Sequence, residues 1–166
     1  MRLFLALGLV ALSVFLGYAK AYALSARTAS LSAFVEETSR LLLRMDYEAL
    51  PLSRLAAAMG EKKTILTGFW TAFGADLAEK GAEEAWRAAL VKSPPYGLLA
   101  EDRTLLQGLG DALASPDGAG RKQASTHILR ETARRRDILR EEQTKKGSLY
   151  GTLGLLFGLA AAIFII

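Results

Sequence analysis

The sequence predicts an all-α protein: a six-helix antiparallel bundle between an amino-terminal and a carboxyl-terminal transmembrane helix. Three observations predict it. The 166 residues are 51% hydrophobic and also 23% charged, so the two kinds must be segregated along the chain. They are: residues 3–19 and 147–166 hold no Lys, Arg, Asp or Glu, and Arg2 is the one charged side chain outside the stretch between those blocks. Within that stretch apolar residues recur at three-four spacing, while sustained two-residue alternation and an Asn-Gly turn are missing. A mean hydropathy of +0.21 excludes a disordered chain, and the lack of cysteine excludes a disulfide scaffold and thiol chemistry.

The terminal blocks divide the chain into residues 1–24, 25–146 and 147–166. Twenty uncharged residues from Gly147 make a helix of about 30 Å, one hydrocarbon thickness, with Lys145 and Lys146 at its entrance to reach lipid phosphates. Arg2, the apolar run after it and Ala21-Tyr22-Ala23 have the features of a secretory signal with a cleavage site. The alternative is an uncleaved span with Lys20 at its exit. Lys20, Arg27, Arg134, Arg135, Arg136, Arg140, Lys145 and Lys146 flank the inner ends, against Arg2 and the terminal amine outside. This bias favours an uncleaved two-span hairpin with residues 25–146 on the cytoplasmic side.

The first bundle helix has an apolar stripe of Leu31, Phe34, Val35, Thr38, Leu41, Leu42 and Met45, opposed by Glu36, Glu37, Arg40 and Arg44. Pro51 ends it and suits the first turn of a second helix, residues 52–59, closed by Gly60. A third, residues 61–80, buries Ile65, Leu66, Phe69, Phe73 and Leu77. Trp70 is expected to be a partly covered core residue. Gly81 ends that helix, and a fourth, residues 82–91, carries Ala85, Trp86, Ala89 and Leu90. Pro94-Pro95 forces a turn before a fifth over residues 101–114. A Pro- and Gly-containing loop, residues 115–120, leads into a sixth over residues 121–146. These stripes absorb nearly every large hydrophobic residue and leave none for an apolar ligand pocket.

Residues that could carry catalysis are few. His127 is the single histidine and cannot form a His-rich metal site. Gly60-Glu61-Lys62-Lys63 lacks the first glycine, the spacing and the preceding strand of a phosphate loop. The pairs Glu36-Glu37, Glu83-Glu84 and Glu141-Glu142 are adjacent on helices and point about 100° apart, so they read as solvated faces. The expectation is a non-enzyme without cofactor or metal.

Two features exceed a generic bundle. Gly147, Gly151, Gly154 and Gly158 share one face of the terminal span, which lets another helix backbone approach closely. Residues 121–146 hold nine basic and four acidic side chains. Arg130, Arg134, Arg135, Arg136, Arg140, Lys145 and Lys146 are its candidate docking cations, for anionic lipid at about 1 kcal/mol per cation or for an acidic protein surface. Nucleic acid is not an expected partner, because aromatic interleaving is missing.

The order of these segments resembles the stage III sporulation protein AB family. Met45-Asp46-Tyr47-Glu48-Ala49-Leu50-Pro51-Leu52 is similar to that family's Tyr-x-x-x-Pro-Leu turn, and Gly81-Ala82-Glu83-Glu84-Ala85-Trp86 to its Ala-Trp helix start. Lys146-Gly147-Ser148-Leu149-Tyr150-Gly151-Thr152-Leu153-Gly154 resembles its Leu-Tyr-x-x-Leu-Gly membrane entry. Gly151 departs from the family in standing where a basic residue is expected, as does Ala114-Ser115-Pro116-Asp117 in place of a Ser-Asp loop.

The resemblance implies a soluble domain similar to the cytoplasmic domain of the inner-membrane platform protein of type II secretion and type IV pilus machines. It also implies a non-catalytic scaffold in the secretion-like channel between mother cell and forespore, set in the mother-cell membrane facing the forespore. Its partners would be a cytoplasmic ATPase, other stage III channel components, membrane lipid and, in a homo-oligomer, further copies of the chain. The competing expectation is a membrane-surface protein whose basic sixth helix binds anionic lipid.

Overall fold

The computed structural model describes residues 2–48 and 50–165, with side chains over 15–48 and 50–145 together with Gly8, Ala11, Leu12, Thr152, Leu156 and Ala160. The described residues are all-helical, in five elements: α1 (Arg2–Glu48), α2 (Leu52–Gly60), α3 (Thr67–Lys92), α4 (Ala100–Ala114) and α5 (Gly118–Ile165). Five elements stand where six helices and two separate spans are expected, and α3 is itself two helices joined across a kink at Gly81. The amino-terminal apolar block continues into α1 and the carboxyl-terminal block continues α5, since neither junction holds a proline or a positive-φ glycine to stop the helix. Among the described residues no helix is long and apolar enough to cross a membrane, and most side chains of the two expected spans lie outside the described ones.

Helix boundaries follow local chemistry. Pro51, extended at φ −61° and ψ 142°, precedes α2 as its N-cap, and its carbonyl accepts from Arg54 N–H at 3.0 Å. Residues 61–66 form a turn where helix was expected. The Thr67 hydroxyl accepts from Thr64 N–H at 2.8 Å and donates to the Lys62 carbonyl at 2.6 Å, which holds the turn and delays α3. Ile65 consequently stays 57% exposed instead of entering the core. At the last helix, the Asp117 carboxylate accepts from Ala119 N–H at 3.1 Å and Gly120 N–H at 2.7 Å, so α5 starts three residues before its expected first turn.

The third and fourth predicted helices fall in one element, α3, interrupted at Gly81 with φ 76° and ψ 173°. A straight helix would separate residues 70 and 86 by about 24 Å. The Trp70 and Trp86 ring centroids are instead 5.8 Å apart, so α3 doubles back at Gly81. Only a residue without a Cβ adopts that backbone conformation without strain.

The chain has two compact units, Met1–Thr28 with Asp137–Ile166, and Ala29–Arg136. In the first, Thr28 Oγ1 donates to the Leu24 carbonyl at 2.9 Å and Leu139 is buried, whereas Ile138 is exposed. The second holds an aromatic core. Phe34 of α1 meets Phe69 at 5.0 Å and Trp86 at 6.3 Å, and Phe69, Trp70, Phe73 and Trp86 of α3 pack mutually, mostly edge to face. All five rings are buried, so Trp70 is fully enclosed where partial cover was expected. Burial of one such ring contributes up to about 4–6 kcal/mol, an upper bound because unfolded chains are partly collapsed.

Helix α4 closes over these rings at Gly110. A Cβ there would lie 2.7 Å from Trp86 Cβ, and the Trp86 indole donates to the Leu106 carbonyl at 2.8 Å. Gly110→Ala should destabilise the protein by about 1–3 kcal/mol through overpacking, despite alanine's better helix propensity. Gly108→Ala meets only the flexible Ile128 Cδ1, at 3.0 Å, and should cost much less. Urea denaturation followed by tryptophan fluorescence checks both, and equal stability of the two variants would contradict the close approach.

Candidate partner interface

The candidate docking cations lie on α5, where the structure distributes them among several roles. Arg135 turns inward. Its Nη1 donates to Asp102 Oδ1 at 3.2 Å and lies 3.8 Å from Glu101, with Asp102 wholly buried. Asp102 belongs to the first turn of α4, where its Oδ2 also accepts from Leu99 N–H at 3.0 Å. One carboxylate thus satisfies a helix-start donor and neutralises an arginine from α5.

Arg134 faces Glu131 at 3.9 Å with both side chains well exposed, a pair of little energetic weight. Lys145 pairs with Glu141 at 2.6 Å, which raises the lysine's pKa and lowers the carboxylate's through the shared hydrogen bond. Arg136 is half-buried. Arg130 and Arg140 are exposed and have no acidic partner among the described residues. The side chains of Lys146, Gly147, Gly151, Gly154 and Gly158 lie outside the described residues, so the expected glycine face does too.

Two further cations near the start of α5 join this set. Lys122 pairs with Asp46 of α1 at 3.0 Å, and Arg121 Nη1 donates to the Ser115 carbonyl at 3.4 Å. Both line a groove of about 460 Å³ between α1 and α5 whose floor includes Leu42, Leu43 and Leu129. The sequence reading expected no apolar recess. The groove exists because small side chains, among them Ser39 and Ala133, stand along it and leave the space between the helices unfilled.

Polar groups that the helical pattern placed on solvent faces also take structural positions. Glu37 was expected opposite the apolar stripe, yet it is buried and accepts the Trp70 indole N–H at 2.5 Å. Its position three residues after Phe34 and four before Leu41 was the available signal, since those spacings share a helix face. Asp76 takes both Lys92, at 2.6 Å, and Lys80, at 3.0 Å. The Lys92 hydrogen bond, followed by that from Lys80, holds its carboxyl below the ordinary range. His127 is exposed on α5. Among the described residues, no group of three or more His, Asp or Glu could hold a metal ion.

The described residues thus define an all-α protein with a helical core and a basic last helix whose cations are partly committed to the fold. The family model described as stage III sporulation protein AB matches residues 2–166, and the chain belongs to that family. Its role is accordingly related to sporulation. The chain has no match among curated proteins or among solved structures.

Asp102→Ala should cost about 2–3 kcal/mol, because it strands the Leu99 N–H and removes the partner of Arg135, which retains partial access to water. Chemical denaturation measures this, and an unchanged midpoint would reject the carboxylate as a linchpin. Asp76 predicts a pH effect with a fixed sign. Its lowered native pKa stabilises the fold fully above the ordinary carboxylate value of 3.8, and that stabilisation is lost as the pH falls through the lowered value. The stability advantage of the wild type over Asp76→Asn should therefore shrink on acidification, as read from thermal melts across that range.

Proposed function

We propose that the chain is a non-enzymatic membrane scaffold subunit of a secretion-like channel linking mother cell and forespore. Residues 1–24 and 147–166 hold it in the mother-cell membrane facing the forespore, with residues 25–146 on the cytoplasmic side. There the helical domain couples a cytoplasmic ATPase to the membrane components of the channel, and the glycine face of the terminal span packs against another membrane helix. The family match over residues 2–166 carries this reading. Further support comes from the charge bias that flanks the apolar blocks, and from polar groups such as Glu37, Asp102 and Arg135 being engaged in holding helices together.

The test is genetic and biochemical. Deleting the gene in its host should stop sporulation after engulfment, and the wild-type chain should restore it. Gly154→Leu and Gly158→Leu should reduce recovery of the channel components with the tagged chain by tenfold or more, with the fluorescence-monitored unfolding of the helical domain unchanged. Normal sporulation in the deletion strain would overturn the scaffold role. Unchanged recovery with both leucine variants would overturn the membrane packing.

A further inference from the structure

We propose that the groove between α1 and α5 is a docking slot for an amphipathic helix with an acidic flank, carried by a partner protein. The proposal rests on the scaffold reading and assigns it a surface. Both walls belong to the compact unit Ala29–Arg136. The floor is apolar: Leu43 is 56% exposed, with half-buried Leu42 and buried Leu129 beside it in the lining. Tyr47, one helical turn beyond Leu43 on α1, is 86% exposed and extends the apolar strip towards the end of that helix. Exposed aliphatic and aromatic side chains in succession mark a contact surface better than an isolated exposed leucine does.

Charge selects the occupant. Arg121, Lys122 and Arg130 line the groove, against a single carboxylate, Asp46, which Lys122 already occupies at 3.0 Å. Arg121 and Arg130 have no acidic partner among the described residues. An occupant must therefore cover leucine with apolar side chains and present carboxylates to two arginines at the edge. The lining residues run from 35 to 46 on α1 and from 121 to 133 on α5, about three helical turns or 16–18 Å on each wall. A helix of similar length, with apolar anchors at i, i+3 or i+4 and i+7 and glutamate or aspartate beside them, meets both requirements. A flat anionic membrane surface satisfies the arginines but leaves the recessed floor uncovered.

Photocrosslinking of the full chain in sporulating cells tests the proposal. A benzophenone amino acid replaces Leu43, with Arg54 on the exposed face of α2 as the control position. The expected adduct joins position 43, and not position 54, to a different protein. Its mapped attachment lies in a helix with apolar residues at three-four spacing flanked by carboxylates. Arg121→Glu with Arg130→Glu should lower the yield at least fivefold, and Arg121→Gln with Arg130→Gln should lower it in the same direction if charge reversal disturbs folding. A lipid adduct, a second copy of this chain, an attachment site without carboxylates, a yield indifferent to both arginine pairs, or no adduct at all overturns the proposal. Any of these outcomes in a strain whose sporulation still depends on the gene removes the groove alone. Sporulation independent of the gene removes the scaffold reading beneath it.

Discussion

Five aromatic rings in one connected cluster are the constraint on which the helical core depends. Phe69, Trp70, Phe73 and Trp86 all come from α3, and Phe34 brings α1 to them. Each indole also has a polar obligation that ties the cluster outward. Trp86 must find an acceptor and takes the Leu106 carbonyl of α4, while Trp70 takes the Glu37 carboxylate of α1. A buried N–H without a partner costs about 1–3 kcal/mol, so these two bonds restrict how α1 and α4 can sit on the rings. Gly110 then sets how close α4 comes, because nothing larger than hydrogen fits against Trp86 without displacement. Packing and hydrogen bonding select the same arrangement, which is the consistency that gives a single native state.

Charge divides into an inner and an outer population. Asp102 with Arg135, and Asp76 with Lys92, join parts of the fold distant in sequence or across the α3 bend. Arg121, Arg130 and Arg140 have no acidic partner among the described residues. The inner pairs take a cation out of play with each acid, so the formal net charge of +4 is carried by the cations left unpaired. The basic character of α5 is partly architecture and partly free surface, and of the free cations Arg121 and Arg130 line a groove with an apolar floor.

The helical class, most of the apolar faces and the family were legible in the sequence because three-four periodicity and segment order are one-dimensional signals. Phe34, Leu41, Leu55, Phe73 and Trp86 are buried as their spacing predicted. The failures share a cause. Glu37, Arg135 and Trp70 have partners contributed by other helices, and a charge pattern on one helix does not reveal a partner 33 residues away. Ile65 was assigned to a helix that the Thr67 hydroxyl delays. The groove arises from what two neighbouring helices do not fill, a property of neither sequence stretch alone. Continuity of the apolar blocks with α1 and α5 is not legible from hydropathy, because a lysine ends an apolar run without interrupting helical backbone bonding.

The bend at Gly81 affects the route to the fold as well as its shape. Trp70 and Trp86 meet across 16 residues, and Asp76 reaches Lys92 across the same interval. Closing so short a loop costs little chain entropy, in contrast to the contacts that α1 makes with α5. Much of the aromatic core is consequently encoded in one contiguous stretch of about 25 residues and has low contact order. During synthesis that stretch can collapse on itself before α4 and α5 leave the ribosome. The greasiest part of the helical core then has internal partners before the terminal apolar block is made, which separates two hydrophobic segments in time as well as along the chain.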